Sequence, residues 1–437
     1  MGSKDNDQND ESKDTVQSNN YQQWKKHTPL LYDTLINHHL THPSSCIRWG
    51  HRLGEEQNHI IQRVYYCERG AAPNTIISAN VKIAKPRTTD PMKMDKFEET
   101  LSSPSVTVLT RIPTPNGTEV NKIYTCEQNL NILFTKSDLN ELHVWDLSSP
   151  ESFIPVATLT GHSEGSCDSN FALDSSVIEP RVLSGDRDGI ILMWSLDNNP
   201  KSTPGRDANG MIPPLSKFEG HQATVEDVCF NPSSSSEFCS VGDDQKLLFW
   251  DARASNSKIS EALQRECVDL HCVDWNPSDL NLLVVGTASG ATFVVDRRKI
   301  GGGEGIEPLH KLHQHQEPVF RVGWRPDSTV HYASGGDDCF VCIWDISQLG
   351  AQSESMGEAQ ESKEVIFKHC GHRGSVQDLH WNPVIPWTLA SVSEDAAWAM
   401  GGGTMQVWRP IDFLYRPHDE CLRDLEKMQN DLKGSGE

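Results

Sequence analysis

Long apolar runs are missing from this 437-residue chain. No stretch approaches the roughly 18 residues that a membrane-spanning helix needs, and the opening segment has no signal-peptide core. These absences predict a soluble, intracellular protein. Asn6 stands where a myristoylation motif after Met1-Gly2 requires Ser or Thr, so no lipid anchor is predicted. Basic residues are scarce, 39 Lys and Arg against 61 Asp and Glu, for a net charge of −22. The deficit disfavours binding to nucleic-acid phosphates and favours a basic partner, with a merely solvating acidic surface as the other reading. The 12 cysteines follow no disulfide-framework spacing. Cys339 and Cys342 form a CxxC, but inside a strand-like CFVCIW run, so they read as core residues and not as a redox or zinc pair. His38, His39 and His42, and His310, His313 and His315, lack thiol or carboxylate partners at zinc spacing, so no metal or other cofactor is predicted. There is no phosphate-binding glycine loop followed by Lys and no HExxH, which leaves an enzyme reading without a motif.

What the chain does have is a repeat. Gly220-His221 opens a unit that runs to Arg253, with apolar runs at Val225 to Phe230, Phe238 to Val241 and Leu247 to Trp250. Asn231-Pro232 and Asp243-Asp244 divide the runs, and Asp251 closes them. Each run is strand-length and bounded by turn residues. The same order recurs with His162 and Trp194, His315 and Trp344, and His372 and Trp408. The last pair is wider, and AAWAMGGGT after Asp395 supplies the excess. Such a unit resembles the WD40 repeat, each copy of which folds into one four-stranded propeller blade.

In the better repeats His221, Asp227, Ser240 and Trp250 recur as His372, Asp378, Ser391 and Trp408. A buried imidazole bridges a carboxylate and a hydroxyl, and the hydroxyl sits against an indole N–H, so these sets are read as structural tetrads. Their repetition, with no oxyanion loop, argues against a Ser-His-Asp triad. Cys272, Arg321 and Lys122 take the Asp position in weaker repeats, and Gly286 and Val295 replace Ser and Trp. Those blades are expected to rely on packing alone.

Six units close near Trp145, Trp194, Trp250, Val295, Trp344 and Trp408, and an irregular set at Ile47 to Trp49, Ile60 to Cys67 and Thr75 to Ile83 supplies a seventh. The predicted fold is all-β, a seven-bladed WD40 β-propeller with an amino-terminal α-helix and a short carboxy-terminal helix. An early strand pairs with late ones, so no sheet edge is left open. Residues 1–20 read as a disordered polar tail. Residues 21–42 read as an amphipathic helix carrying Trp24, Leu31 and Leu35, with Thr28-Pro29 as cap or kink. The ring occupies 43–410, and a helix and tail opened by Pro417 and Asp419 occupy 411–437. The loops at 198–214 and 350–363 are expected to be mobile.

The two ends narrow the choice. YQQWKKHTPLLYD with HPSSCIRW, then VEDVCF, CSVGDDQKLLFWDAR, FKHCGHRGSVQDLHWNP, PWTLASVSED and LYRP resemble the MSI and retinoblastoma-binding type of histone-binding WD40 protein over about residues 21–432. The glycines at 401–403 resemble its divergent plant branch. The resemblance implies a non-catalytic nuclear scaffold of histone deacetylase, Polycomb-type or chromatin-assembly complexes, with histones H3 and H4 as partners. It places the H3 tail on the top face, at Glu119, Asn121, Glu164, Glu226, His271, Phe320 and Glu394, where carboxylates hold Lys and Arg; scattered rim acids are the alternative. It places a helix of H4 in a side groove walled by Leu30, Leu31, Leu35, Ile36, Phe367 and Ile411, or else these residues only dock helix to ring. Three departures stand out: ESMGEAQESKEVIF replaces the family's double-proline loop, with Glu358, Glu361 and Glu364 as substitutes; His42 stands in place of Trp; and Pro318 stands in place of Glu. A competing reading is a substrate receptor that docks on the adaptor of a cullin-type ubiquitin ligase through its WDxR box, Trp250, Asp251 and Arg253.

Overall fold

The chain folds as a seven-bladed ring in a computed structural model that describes residues 4–424 and 426, apart from 71–72, 87–102, 139–141, 149–152, 164–170, 198, 255–257, 264–267, 301–307, 349–362, 397–398 and 400. Seven sheets surround a channel, six of four strands and one of five. Each blade starts on the channel, and its first strand neighbours the first strands of the blades on either side. In the fourth blade the strands are Val225–Phe230, Glu237–Gly242, Lys246–Asp251 and Lys258–Leu263, all antiparallel. Blades flank it on both sides, so Phe238, Cys239, Ser240 and Val241 are all buried. That is why the middle strands read as unbroken apolar runs instead of alternating ones. The core lies between blades; Val241, Leu247 and Phe249 of one pack with Val273, Trp275 and Leu283 of the next.

The tetrad is built differently from the expectation. His221 Nε2 lies 2.7 Å from Ser240 Oγ, and Trp250 Nε1 donates to the same Oγ at 2.8 Å, but His221 Nδ1 meets Asp244 at 2.9 Å and not Asp227. An indole N–H can only donate. Ser240 therefore donates to Nε2, and Nδ1–H faces the carboxylate. The carboxylate comes from the tight turn between the second and third strands. Asp186 serves His162 and Asp338 serves His315 in the same way. In the last blade His372 Nδ1 meets Thr404 Oγ1 at 3.1 Å, so Asp378 is not its partner either. Ser391 lies 2.7 Å from His372 and accepts from Trp408 at 3.1 Å.

Asp227 and Asp378 face the channel instead, and so do the supposed weak substitutes. Arg321 Nη1 donates to Asp227 at 3.2 Å, its Nε stands 3.5 Å from Asp378, and its Nη2 donates to Tyr124 at 2.9 Å. Arg48 donates to Asp378 at 2.5 Å. Burial alone would raise the Asp378 pKa, but Arg48, Lys122 and Arg321 outweigh it and hold the carboxyl below its usual range. The blades with Arg or Lys at this position supply counter-ions and do not rely on packing alone. The channel acids also bind backbone N–H groups of following blades: Asp227 accepts from Val273 at 3.1 Å, Asp378 from Ile47 at 3.0 Å, Asp174 from Phe230 at 2.7 Å and Asp274 from Trp324 at 2.6 Å.

The amino-terminal segment needs two corrections. Helix α1 spans Lys4–Leu31, so it takes in most of the stretch expected to be disordered, and residues Tyr32–Leu40 form strand β1 and not the end of a helix. Tyr21 and Trp24 pin the second half of α1, with Trp24 Nε1 donating to Tyr32 Oη at 2.7 Å. Beyond Pro29 the sequence YDTLINHHL buries alternate residues, the strand period. β1 pairs with Gly403–Pro410 from Tyr32 opposite Pro410 to Leu40 opposite Gly403, which closes the last blade. The 198–214 loop is also more ordered than expected. Its Met211–Ile212 adds a parallel fifth strand beside Ala157–Leu159. A short helix occupies 418–424 after Pro417.

Removing one partner of a buried ion pair leaves the other charge uncompensated. Asp378→Ala should therefore lower stability by about 3–5 kcal/mol in urea unfolding, whereas removing the exposed Lys82–Glu56 pair should scarcely move the midpoint.

Candidate functional site

The first strand of each blade carries a repeated irregularity. In five blades the ladder to the second strand steps over one residue near the strand's start: Asn121, Glu226, His271, Phe320 and Gln377. A bulge residue is left unpaired, and its side chain is re-aimed. Glu226, His271, Phe320 and Gln377 line one cavity of about 480 Å³ at this mouth of the channel. Glu394, Asp337, Arg69 and Phe171 complete the wall, and Lys122 and Asp227 also line it. A second cavity of about 290 Å³ is walled by Trp49, Trp275, Trp324 and Trp381 from the ends of the inner strands, with Arg321 among its lining residues.

The upper cavity can hold a cation. Burial, followed by the nearby Asp243 and Asp227, pushes the Glu226 carboxyl up to about 7 against the opposing pull of Lys136 and Lys122. Glu226 has no hydrogen-bond or ion-pair partner among the described residues. His271 stacks on Phe320 with ring centroids 6.2 Å apart. Burial lowers the His271 pKa although Asp243 and Asp269 oppose this, and its Nδ1 has no hydrogen-bond partner among the described residues. An ionisable carboxylate beside an aromatic wall suits a Lys or Arg side chain.

Of the sequence-predicted top-face residues, the structure brings Glu226, His271, Phe320 and Glu394 together. Glu119 and Asn121 belong to the second blade and do not line the cavity; Glu164 lies outside the described residues. Glu394 is not free, because Arg69 Nη2 donates to it at 2.6 Å. Reading the sequence missed Arg69, Phe171, Asp337 and Gln377. Gln377 could have been found, since it shares its register with Glu226. Arg69 follows an irregular strand without repeat markers and gave no such signal.

The groove residues scatter. Leu30 on α1 is 71% exposed, while Ile36 and Phe367 are buried in the ring's core. Leu31 and Leu35 pack against Tyr32, Phe367 and Trp408, and Leu35 sits on strand β1. Ile411 is half-buried, and its N–H donates to the Leu31 carbonyl at 2.8 Å. Glu358 and Glu361 lie outside the described residues; the Glu364 carbonyl accepts from Asp345 N–H at 2.8 Å. In the WDxR box Trp250 is buried, whereas the Arg253 side chain is 63% exposed and paired with Asp251 at 2.8 Å and Glu237 at 3.0 Å. Alternation along β1 separates His38 from His39, and His315 belongs to a tetrad. Among the described residues no cluster of His, Cys, Asp and Glu is arranged to hold a metal ion.

Comparison with known proteins adds to this geometry. Residues 19–85 match the family of histone-binding protein RBBP4 and its counterpart in the CAF1 complex. Residues 212–251 and 306–345 match the WD domain, G-beta repeat. The chain is similar to the WD-40 repeat-containing protein MSI4 of Arabidopsis thaliana, with 36% identity over 438 residues, covering 94% of this chain and 85% of that relative.

A carboxyl that titrates near neutrality couples binding to pH. A bound cation favours ionised Glu226, so complex formation expels a proton. Affinity for a basic peptide should fall as pH drops below about 7, by at most about tenfold per unit. Calorimetry across that range should show this slope, and Glu226→Gln should flatten it.

Proposed function

The chain belongs to the RBBP4 and MSI type of histone-binding WD40 proteins, and from that premise we propose that it serves as a non-catalytic histone-docking subunit of nuclear chromatin-modifying or chromatin-assembly complexes, including histone deacetylase and Polycomb-type assemblies. The observation that carries this reading is the upper cavity, where the bulged Glu226 presents a carboxylate that has no partner among the described residues, in the same lining as the His271–Phe320 stack. Its ligand is the basic tail of histone H3, whose Lys or Arg side chain pairs with the Glu226 carboxylate. The net charge of −22 supports the same choice of partner through long-range attraction. Recognition of this kind needs no reacting group.

A helix of histone H4 is the proposed occupant of the side face, where Leu30 is an exposed apolar residue near the end of α1. Leu31 and Leu35 support it from beneath and already serve the ring, so their removal would report on closure and not on binding. The ligase-adaptor reading is kept as a second role because Arg253 is exposed and held in a fixed pose by Asp251 and Glu237. It is compatible with the first.

Glu226→Lys combined with Glu394→Lys should weaken H3-tail binding by more than about thirtyfold in calorimetry, with the melting temperature little changed. Tail affinity within twofold of the parent would overturn the upper-cavity assignment. Separately, Leu30→Asp should reduce pull-down of an H4 helix peptide while leaving the H3 tail bound; loss of both would mark α1 as purely structural.

A further inference from the structure

The two carboxylates proposed to hold ligand cations are not equivalent. Glu226 is half-buried and has no hydrogen-bond or ion-pair partner among the described residues, whereas Glu394 already carries a guanidinium. We propose that Arg69 is a specificity-determining residue: a resident cation that occupies Glu394 and makes the upper cavity a receptor for one ligand cation instead of two. The proposal rests on the basic-peptide reading above and refines it.

Arg69 is held in place by its surroundings. It follows the strand His59–Glu68, and its backbone N–H donates to the Pro43 carbonyl at 2.9 Å. The next residue, Gly70, has φ +82°, a left-handed conformation in which most other side chains are strained. Gly70 N–H donates to Asn74 Oδ1 at 2.8 Å, and Asn74 Nδ2 donates to the Gly117 carbonyl at 2.7 Å. Gly70 and Asn74 are therefore each held by a hydrogen bond. The adjacent acid, Glu68, is taken by Arg111 at 2.5 Å, so Arg69 pairs across the junction of the first and last blades, where Glu394 ends the strand Leu389–Glu394. Both Arg69 and Glu394 line the cavity, so the guanidinium stands where a second ligand cation would go.

The pair is also exchangeable. The Arg69 side chain is 22% exposed and that of Glu394 45%, so solvent screens the attraction and its displacement costs little. A peptide with one Lys or Arg among neutral residues seats at Glu226 and leaves the pair intact. A second cation nearby must dislodge Arg69 and leave its charge in a cavity that already contains Lys122. The site therefore does not reward paired basic residues, although the acid count alone suggests that it should.

Calorimetry on the full chain tests this with two synthetic peptides: one with a single Arg among neutral residues, the other with a Lys added two positions on. The parent should bind both within about twofold. Arg69→Ala, with Arg69→Gln as a second variant that keeps a polar side chain, should raise the preference for the two-cation over the one-cation peptide about three- to fivefold. Adding Glu394→Gln should abolish that gain. No gain, or a gain that survives Glu394→Gln, would overturn the role of Arg69 while parental binding, and with it the proposed function, stands. If neither peptide binds parent or variants, the histone reading fails and the proposal falls with it.

Discussion

The structure depends on charge balance at the axis of the ring. The third residue of the inner strand points into the channel in four blades, Lys122, Asp227, Arg321 and Asp378, and Arg48, second in the strand Ile47–Glu55, meets their charges there. Desolvation makes each of them costly alone. They are tolerated because the signs are distributed around the circle and Arg321 reaches acids of two other blades. Asp227 and Asp378 bind a backbone N–H of the following blade as well, so neutralisation at the centre is also what joins neighbouring sheets. Where counter-charge is thinner, burial lifts Asp174 to about 7 and Asp274 to about 6.

Next to this inward-facing register lies an outward-facing one. The bulge places the second residue at the mouth while the third stays on the axis, so adjacent residues such as Glu226 and Asp227 have unrelated duties. Asp227 is compensated and structural. Among the described residues Glu226 has no partner, and a half-buried carboxyl in that state is what a cationic ligand relieves. The rigidity of the inner ring is what keeps that group positioned for a partner.

Much of this was legible in the residues. The repeat specified strands, blade number and the His, Ser and Trp of the tetrad, because turn residues and short apolar runs are local signals. The tetrad carboxylate was misplaced because two acids, Asp227 and Asp244, both occur at fixed offsets from His221, and only the fold shows which one faces the ring nitrogen. Arg321 and Lys122 looked like defects for a similar reason: a repeat read one unit at a time cannot display a charge matched on the opposite side of a circle. β1 was read as helix because Trp24, Leu31 and Leu35 are helically spaced, whereas its strand character comes from an edge far along the chain. Of the cavity, Glu226, His271, Phe320 and Glu394 were foreseen through their repeat positions or the family resemblance. Arg69 was not, since its importance lies in a contact between the first blade and the last.

That joint has a consequence in time. Asn37 of β1 and Gln406 opposite it are hydrogen-bonded across 369 residues of chain. During synthesis β1 leaves the ribosome early and must wait, unpaired, until the strand Gly403–Pro410 appears. Every blade between them can form locally, but none can be locked into a circle before then. A waiting strand with alternate apolar residues is an adhesive edge. Closure of the ring therefore requires the oldest part of the ring to meet the youngest, and a chain halted before residue 403 lacks the strand that β1 pairs with.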